Sequence, residues 1–249
     1  MKATAKILAV MAVIGLVTSS FGASLTLGTT ARSNGSNGGA YQASNSGLST
    51  ASYSSLSAAT ATSFETFCLE PTEYFTPGNS YNYTIASEAV GGALNTHGGS
   101  VGDALSIGTA WLYSQFAKGT LAGYNYGTDA QRAASNLLLQ RAFWYLEDDF
   151  GASGQYNTST LALDNPFLSL VTSALGSGAT DALKLESVRT SAAAGQYGVY
   201  VLNLTSWSGQ TLVQNQSQLY YSVPEGGATA GLLGLSFLAV AAIRRRFIR

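Results

Sequence analysis

Phe64-Glu65-Thr66-Phe67-Cys68-Leu69-Glu70, closed by Pro71, is the stretch on which the fold class turns. In an extended chain successive side chains point to opposite faces, so Phe67 and Leu69 share one face while Phe64, Thr66 and Cys68 share the other. Pro71 has no N–H to give to a ladder and ends the strand. Downstream, Pro77-Gly78 leads into a second strand from Tyr81 to Ala86, with Tyr81, Tyr83 and Ile85 on one face, and the two strands predict an antiparallel pair. Upstream, Ser24 to Gly28 reads as a short strand and Ser33 to Gly39 as a flexible loop. At the far end Gly198 to Thr205 has the composition of a buried strand, with Gln210 to Val213 and Gln218 to Tyr221 as partners in the same sheet.

Helical patterns fill the interval. Leu105, Gly108, Leu112 and Phe116 repeat at helical spacing over Asp103 to Lys118, with Ser100 as cap and Gly119 as stop. Thr128 and Gln131 have capping-box spacing and open a second helix that runs to about Asp149. Ala133, Leu137, Gln140 and Trp144 form one stripe of it, which places an amide on an apolar face. Asn165-Pro166 caps and starts a third helix through Leu175, stopped by Gly176. Asp181 to Arg189 is a shorter candidate. Strands at both ends with helices between predict an α+β domain: an antiparallel β-sheet or sandwich with an inserted pair or trio of helices.

Charge narrows the function classes. Of the 12 Lys and Arg, two lie in the first 22 residues and four in the last 27, whereas 12 of the 13 acids lie between, leaving the central part at −6. Six scattered cations build no basic face, so nucleic acid is excluded as a partner. His97, the single histidine, sits in a Gly-rich loop without a second histidine to share a metal. Glu147-Asp148-Asp149 opposes the dipole of its own helix and reads as a solvated helix end rather than a Ca²⁺ site. Glu70 and Glu73 lack an identified carboxylate partner for glycoside hydrolysis. Without a nucleophile triad or metal cluster the leading reading is a non-enzymatic structural or adhesive protein, with no catalytic residues, metal or cofactor, and a secreted hydrolase is the remaining alternative of a different class. Sequons stand at Asn82, Asn157, Asn203 and Asn215. Cys68 is the single cysteine, which rules out an internal disulfide and leaves four roles open: inert core residue, intermolecular pair, nucleophile, or partner in another cross-link.

The two ends of the chain differ from its middle. Val223-Pro224-Glu225-Gly226-Gly227 precedes an apolar run from Ala228 to Ile243 and then Arg244, Arg245 and Arg246. As a helix the run is a rod of about 24 Å, short of the roughly 30 Å hydrocarbon core, so it spans only with bilayer thinning or snorkelling. The arginines hold its end on the cytoplasmic side. This order of proline motif, short helix and arginine cluster resembles the PEP-CTERM class of sorting signals in its Val-Pro variant. The resemblance implies an exosortase partner that recognises the proline motif while the transmembrane helix and arginines hold the precursor in the inner membrane of a Gram-negative-type envelope. The destination is then the cell surface or the extracellular matrix, with exopolysaccharide as an associated partner.

At the other end Lys2 and Lys6, the apolar run Ile7 to Val17, and small Ser20 and Gly22 make a secretory signal peptide, handled by the Sec translocon and signal peptidase. The expected organisation is therefore a signal peptide over 1–22, an extracytoplasmic α+β domain over 23–222, and a sorting tail over 223–249.

Within the outer domain, Phe67-Cys68 and Gln140-Arg141-Ala142-Phe143-Trp144 resemble the two patches of bacterial thioester domains. Leu139 and Phe143 replace that family's threonine and β-branched residue. The resemblance implies that the Cys68 thiol and the Gln140 carboxamide join with loss of ammonia, giving an acyl group on sulfur that a surface amine or hydroxyl then attacks. Trp144, Leu137 and Phe67 are the expected shield against water.

Overall fold

The C-terminal hairpin sets the geometry of the sheet. Gly209, at φ 62°, and Gln210 form its two-residue turn, a backbone that glycine adopts at no steric cost and that matches the strand twist. The strands it joins, Val199–Ser208 and Thr211–Tyr221, are the longest adjacent pair of the sheet. The computed structural model describes residues 24–33, 39–44, 48, 63–71, 73–90, 102–147 and 165–222. The signal-peptide and sorting-tail readings, the inner part of the Ser33–Gly39 loop, His97, Asp148, Asp149 and Asn157 lie outside these residues.

In chain order the elements are β1 (Ser24–Ser33), β2 (Gly39–Ser44), β3 (Ser63–Thr66), β4 (Ser80–Ala86), the two-residue strands β5 (Glu88–Ala89) and β6 (Asp103–Ala104), and the helices α1 (Ile107–Lys118), α2 (Asp129–Leu146), α3 (Pro166–Leu175) and α4 (Asp181–Thr190). The hairpin strands are β7 and β8. The architecture is α+β: among the described residues, a six-stranded antiparallel sheet in the order β3-β2-β1-β4-β7-β8, with four helices inserted before its last two strands. The expected pairing of the Phe64 strand with the Tyr81 strand is not made, because β1 and β2 stand between them. Sequence neighbours lost to partners from the N-terminal segment, whose patterning is weak.

The sheet closes on itself. Just past β3, Leu69 N–H donates to Ser217 O (3.0 Å) and Leu219 N–H donates to Phe67 O (3.1 Å), joining the first edge to the last. Closure removes the unpaired edges that an open sheet exposes. It also gives the sheet an inside, filled by Leu25, Leu27, Phe64, Leu202, Leu204 and Tyr220. The odd-numbered residues Val199 and Val201, with Phe67, Leu69 and Leu219, face outward into the helical layer. There Phe67 packs edge-on against Phe116 and Phe143 at centroid distances of 5.1 and 5.2 Å, a favoured geometry for aromatic quadrupoles. The Phe67/Leu69 face expected from alternation is thus the helix-facing one.

Helix boundaries follow their caps. Ser106, not Ser100, caps α1, its Oγ accepting from Thr109 N–H (3.1 Å), so α1 begins four residues later than the periodicity predicted and Asp103 belongs to β6. Thr128 N–H donates to Gln131 Oε1 (3.1 Å) at the start of α2, as the capping-box spacing predicts. Asn165 Oδ1 accepts from Phe167 N–H (3.0 Å) above Pro166, and its Nδ2 donates to Leu138 O (2.8 Å), tying α3 to α2. The strands expected over Gln210 to Val213 and Gln218 to Tyr221 are one strand, β8, which begins at Thr211 because Gln210 is in the turn.

Candidate functional site

Helix α2 is fastened to the strand beside it at two points. Arg132 Nη2 meets Glu65 Oε2 at 2.5 Å with both side chains 1% exposed. Two turns on, the Gln140 side chain meets Cys68: Cys68 N–H donates to Gln140 Oε1 (3.1 Å) and Gln140 Nε2 donates to Cys68 O (2.7 Å). The spacing fits both elements, since eight helical residues rise about 12 Å and three strand residues about 10 Å. Tyr113 Oη, donating to Glu65 O (2.8 Å), secures the strand from α1.

The structure therefore brings together Cys68 and Gln140, which lie 72 residues apart in sequence and are both buried. Gln140 satisfies the amide and carbonyl of one residue with the two ends of its carboxamide, the way a neighbouring strand would. Arg132, Asn136, Leu139, Gln140, Phe143 and Leu146 are among the buried residues of α2. Ala133 and Leu137 are only half-buried, so the apolar stripe expected through them is rotated toward the Arg132–Asn136 side. Leu137 is accordingly not part of the shield around sulfur. That cluster is Tyr41, Cys68 and Trp144, with Phe75 and Tyr145 packed against it.

Sulfur has its own partner, which sequence reasoning missed. Gln218, at the isolated bridge with Cys68, directs Nε2 to Sγ at 3.4 Å. A polar residue in a buried strand was its one signal. Burial pushes the Cys68 thiol up to about 12, against a smaller lowering by this hydrogen bond, so sulfur is protonated at neutral pH. Tyr41 beside it is also raised, by burial and then by the thiol's charge.

A cavity of about 300 Å³ opens onto this cluster, lined by Tyr41, Cys68, Glu73, Tyr74, Phe75 and Trp144 among others. Glu73 Oε2 accepts from Ser217 N–H (3.1 Å), and burial raises its pKa against that bond. The arrangement holds the Gln140 carboxamide on the Cys68 backbone, with a backbone N–H on its carbonyl oxygen, while the side of the cysteine that lines the cavity is within reach of a second molecule.

Behind the cavity the structure corrects the solvated reading of Glu147. Its carboxylate is buried, accepting from Ser106 Oγ (2.8 Å) and from Ser106 N–H (3.3 Å), at the N-terminus of α1. An acid that opposes its own helix dipole thereby complements that of the preceding helix, α1. Burial pushes it up to about 7 against those hydrogen bonds. Glu70, also buried, rises to about 8, by burial first and then by the charges of Asp103, Glu73 and Glu147. No group of three acidic, cysteine or histidine side chains among the described residues is arranged to hold a metal. Of the sequons, Asn82 is exposed on β4, whereas Asn203 is 2% exposed and bound to Val90 N–H and Ser217 Oγ, so it is closed to glycosylation in the folded domain.

Comparison with known proteins reaches the tail and not the domain. Residues 222–247 match the family model described as the VPDSG-CTERM motif. No curated protein and no solved structure matches the chain. The matched segment includes Val223, Pro224, Glu225, Gly226 and Gly227 and the arginines Arg244 to Arg246, and is a C-terminal sorting signal related to PEP-CTERM. It marks an exported, envelope-associated protein processed by an exosortase-type machinery.

Proposed function

We propose that the domain over 23–222 is an adhesive module that bonds covalently to a surface through an internal thioester between Cys68 and Gln140. The observation that carries the reading is the pairing of the Gln140 carboxamide with the peptide groups of Cys68 inside a buried seam. In the first step Sγ bonds to Cδ of Gln140 and the Cδ–Nε2 bond breaks. The thiol proton leaves with the nitrogen, as ammonia. The Cys68 N–H, already on Oε1, stabilises the charge that develops there. In the second step an amine or hydroxyl from a surface attacks Cδ, the C–S bond breaks, and a proton returns to sulfur. Each molecule reacts once, so the protein is not an enzyme. Tyr41 and Trp144 keep bulk water from the acyl group. The tail helix and its arginines hold the precursor in the inner membrane until exosortase acts, and the destination is the cell surface or an extracellular matrix that contains exopolysaccharide.

A second reading has its own support. Gln140 spends both ends of its amide on the backbone and leaves sulfur to Gln218, which is also what a purely structural tie would do in a non-covalent adhesive or matrix protein. Intact mass of the exported protein separates the two. A mass short by one ammonia, with a free thiol released by methylamine, supports the thioester; full mass with an alkylatable Cys68 under denaturing conditions leaves the structural tie.

A further inference from the structure

We infer that the groove beside the β7–β8 hairpin is a binding site for a neutral polysaccharide. The cavity, of about 480 Å³, is lined by Thr76, Asn79, Asn82, Thr205, Trp207 and Asn215 together with Ser24, Ser80, Tyr81 and Ser206. Every one of these side chains is uncharged, and all but Trp207 carry a hydroxyl or an amide. Trp207 is 64% exposed near the tip of the hairpin, with Leu212 directly opposite it on β8 and therefore on the same sheet face, flanking the indole. A large indole left in water on a surface is a mark of a binding patch.

The chemistry of the lining selects the ligand. Hydroxyls and carboxamides both donate and accept, matching a ligand whose own groups do both. The indole face, with its negative quadrupole, suits the C–H-rich face of a sugar ring. The absence of cations among the described lining residues argues against phosphate, uronate or nucleic acid, and the density of polar groups against a lipid. The site is held open by its own bonds. Tyr81 Oη accepts from Thr76 N–H (2.7 Å), and Asn215 Nδ2 donates to Ser206 Oγ (2.9 Å) and Val213 O (3.0 Å), which leaves its Oδ1 to accept from a ligand. Fixing these groups beforehand lowers the entropy lost on binding. The segment from Glu73 to Ser80 contributes Glu73, Tyr74, Phe75 and Pro77 to the Cys68 cavity and Thr76, Asn79 and Ser80 to this groove, so one loop forms a wall of both.

The inference rests on the adhesive reading above but not on thioester chemistry. Its test is affinity electrophoresis of the full chain in mild detergent through gels containing dextran, hydroxyethyl cellulose or galactomannan, with alginate as the anionic comparison. At least one neutral polymer is expected to retard the protein. Trp207→Ala should weaken that retardation about tenfold or more, with an unchanged melting temperature because the side chain is exposed. Cys68→Ala should leave it intact, which separates groove binding from covalent capture. No retardation by any neutral polymer, retardation indifferent to Trp207→Ala, or stronger retardation by alginate would each overturn the assignment.

Discussion

The two ties between α2 and the strand at its side are equally buried and chemically opposite. Arg132–Glu65 brings two full charges together, whereas Gln140–Cys68 brings a neutral amide to a peptide group. An ion pair out of water is stable only while both partners are present, since either alone is a buried charge. The amide tie has no such obligation, and its loss leaves only unpaired polar groups. The first fixes the seam by charge; the second spends both ends of a neutral amide on the peptide groups of one strand residue.

The largest effect is therefore expected at the ion pair. Arg132→Met should cost about 3–5 kcal/mol in urea unfolding, because Glu65 stays buried without its cation. The double variant Arg132→Met/Glu65→Leu should recover most of that loss. Equal destabilisation in the single and double variants would show that shape, not charge, holds this end of the seam.

The unpaired acids sharpen the contrast with Glu65. Glu70 and Glu147 are buried like Glu65, but Glu147 is held by a hydroxyl and a backbone N–H instead of a cation. Among the described residues Glu70 Oε2 has no hydrogen-bond partner. Their pKa values are raised, to about 8 and about 7, so between about pH 4.5 and pH 8 the folded state binds more protons than the unfolded state. Stability then falls as pH rises through that window, on the order of 3 kcal/mol in all, since the two groups are coupled and do not add. Urea midpoints at pH 5 and pH 8.5 measure it. Glu147→Gln, which keeps an acceptor for Ser106, should flatten the profile; a midpoint that rises with pH would refute the assignment.

The amide tie should give the next effect. Gln140→Met keeps volume and leaves the N–H and C=O of Cys68 unpaired, at a cost of about 2 kcal/mol. The same change should abolish any ammonia-deficient mass. Full stability in Gln140→Met would mean that the seam does not use this tie.

Local chemistry was legible in the sequence. Alternation from Phe64 to Leu69 identified the face that packs on the helices, and Asn165-Pro166 and Thr128/Gln131 marked true helix starts. Cys68 and Gln140 were paired through motif resemblance, since 72 residues of separation leave no periodic trace. What stayed hidden depended on tertiary partners. Ser106 became the α1 cap by bonding to Glu147 forty-one residues away, and that same contact turned an apparently solvated acid into a buried one. Strand order was also invisible, because β1 and β2 take their places by pairing with β4 and β3, whose partnership no local pattern encodes.

The smallest effect on stability, and the sharpest on sulfur, belongs to Gln218. Its Nε2 donates to Cys68 Sγ, a weak bond to a neutral acceptor, while its Oε1 is buried with no hydrogen-bond partner among the described residues. Gln218→Leu removes a favourable contact and an unfavourable orphan together, so stability should change by less than about 1 kcal/mol. The thiol responds differently. Its donor holds the pKa below the level that burial alone would set, so the variant thiol ionises later and alkylates more slowly at pH 9. A loss of stability as large as that of Gln140→Met would mean that the strand-borne glutamine, rather than the helix-borne one, ties Cys68 into the seam. An unchanged alkylation rate would mean that access to the cavity, not ionisation, limits the sulfur, and Tyr41 and Trp144 at its walls would then be the residues to change.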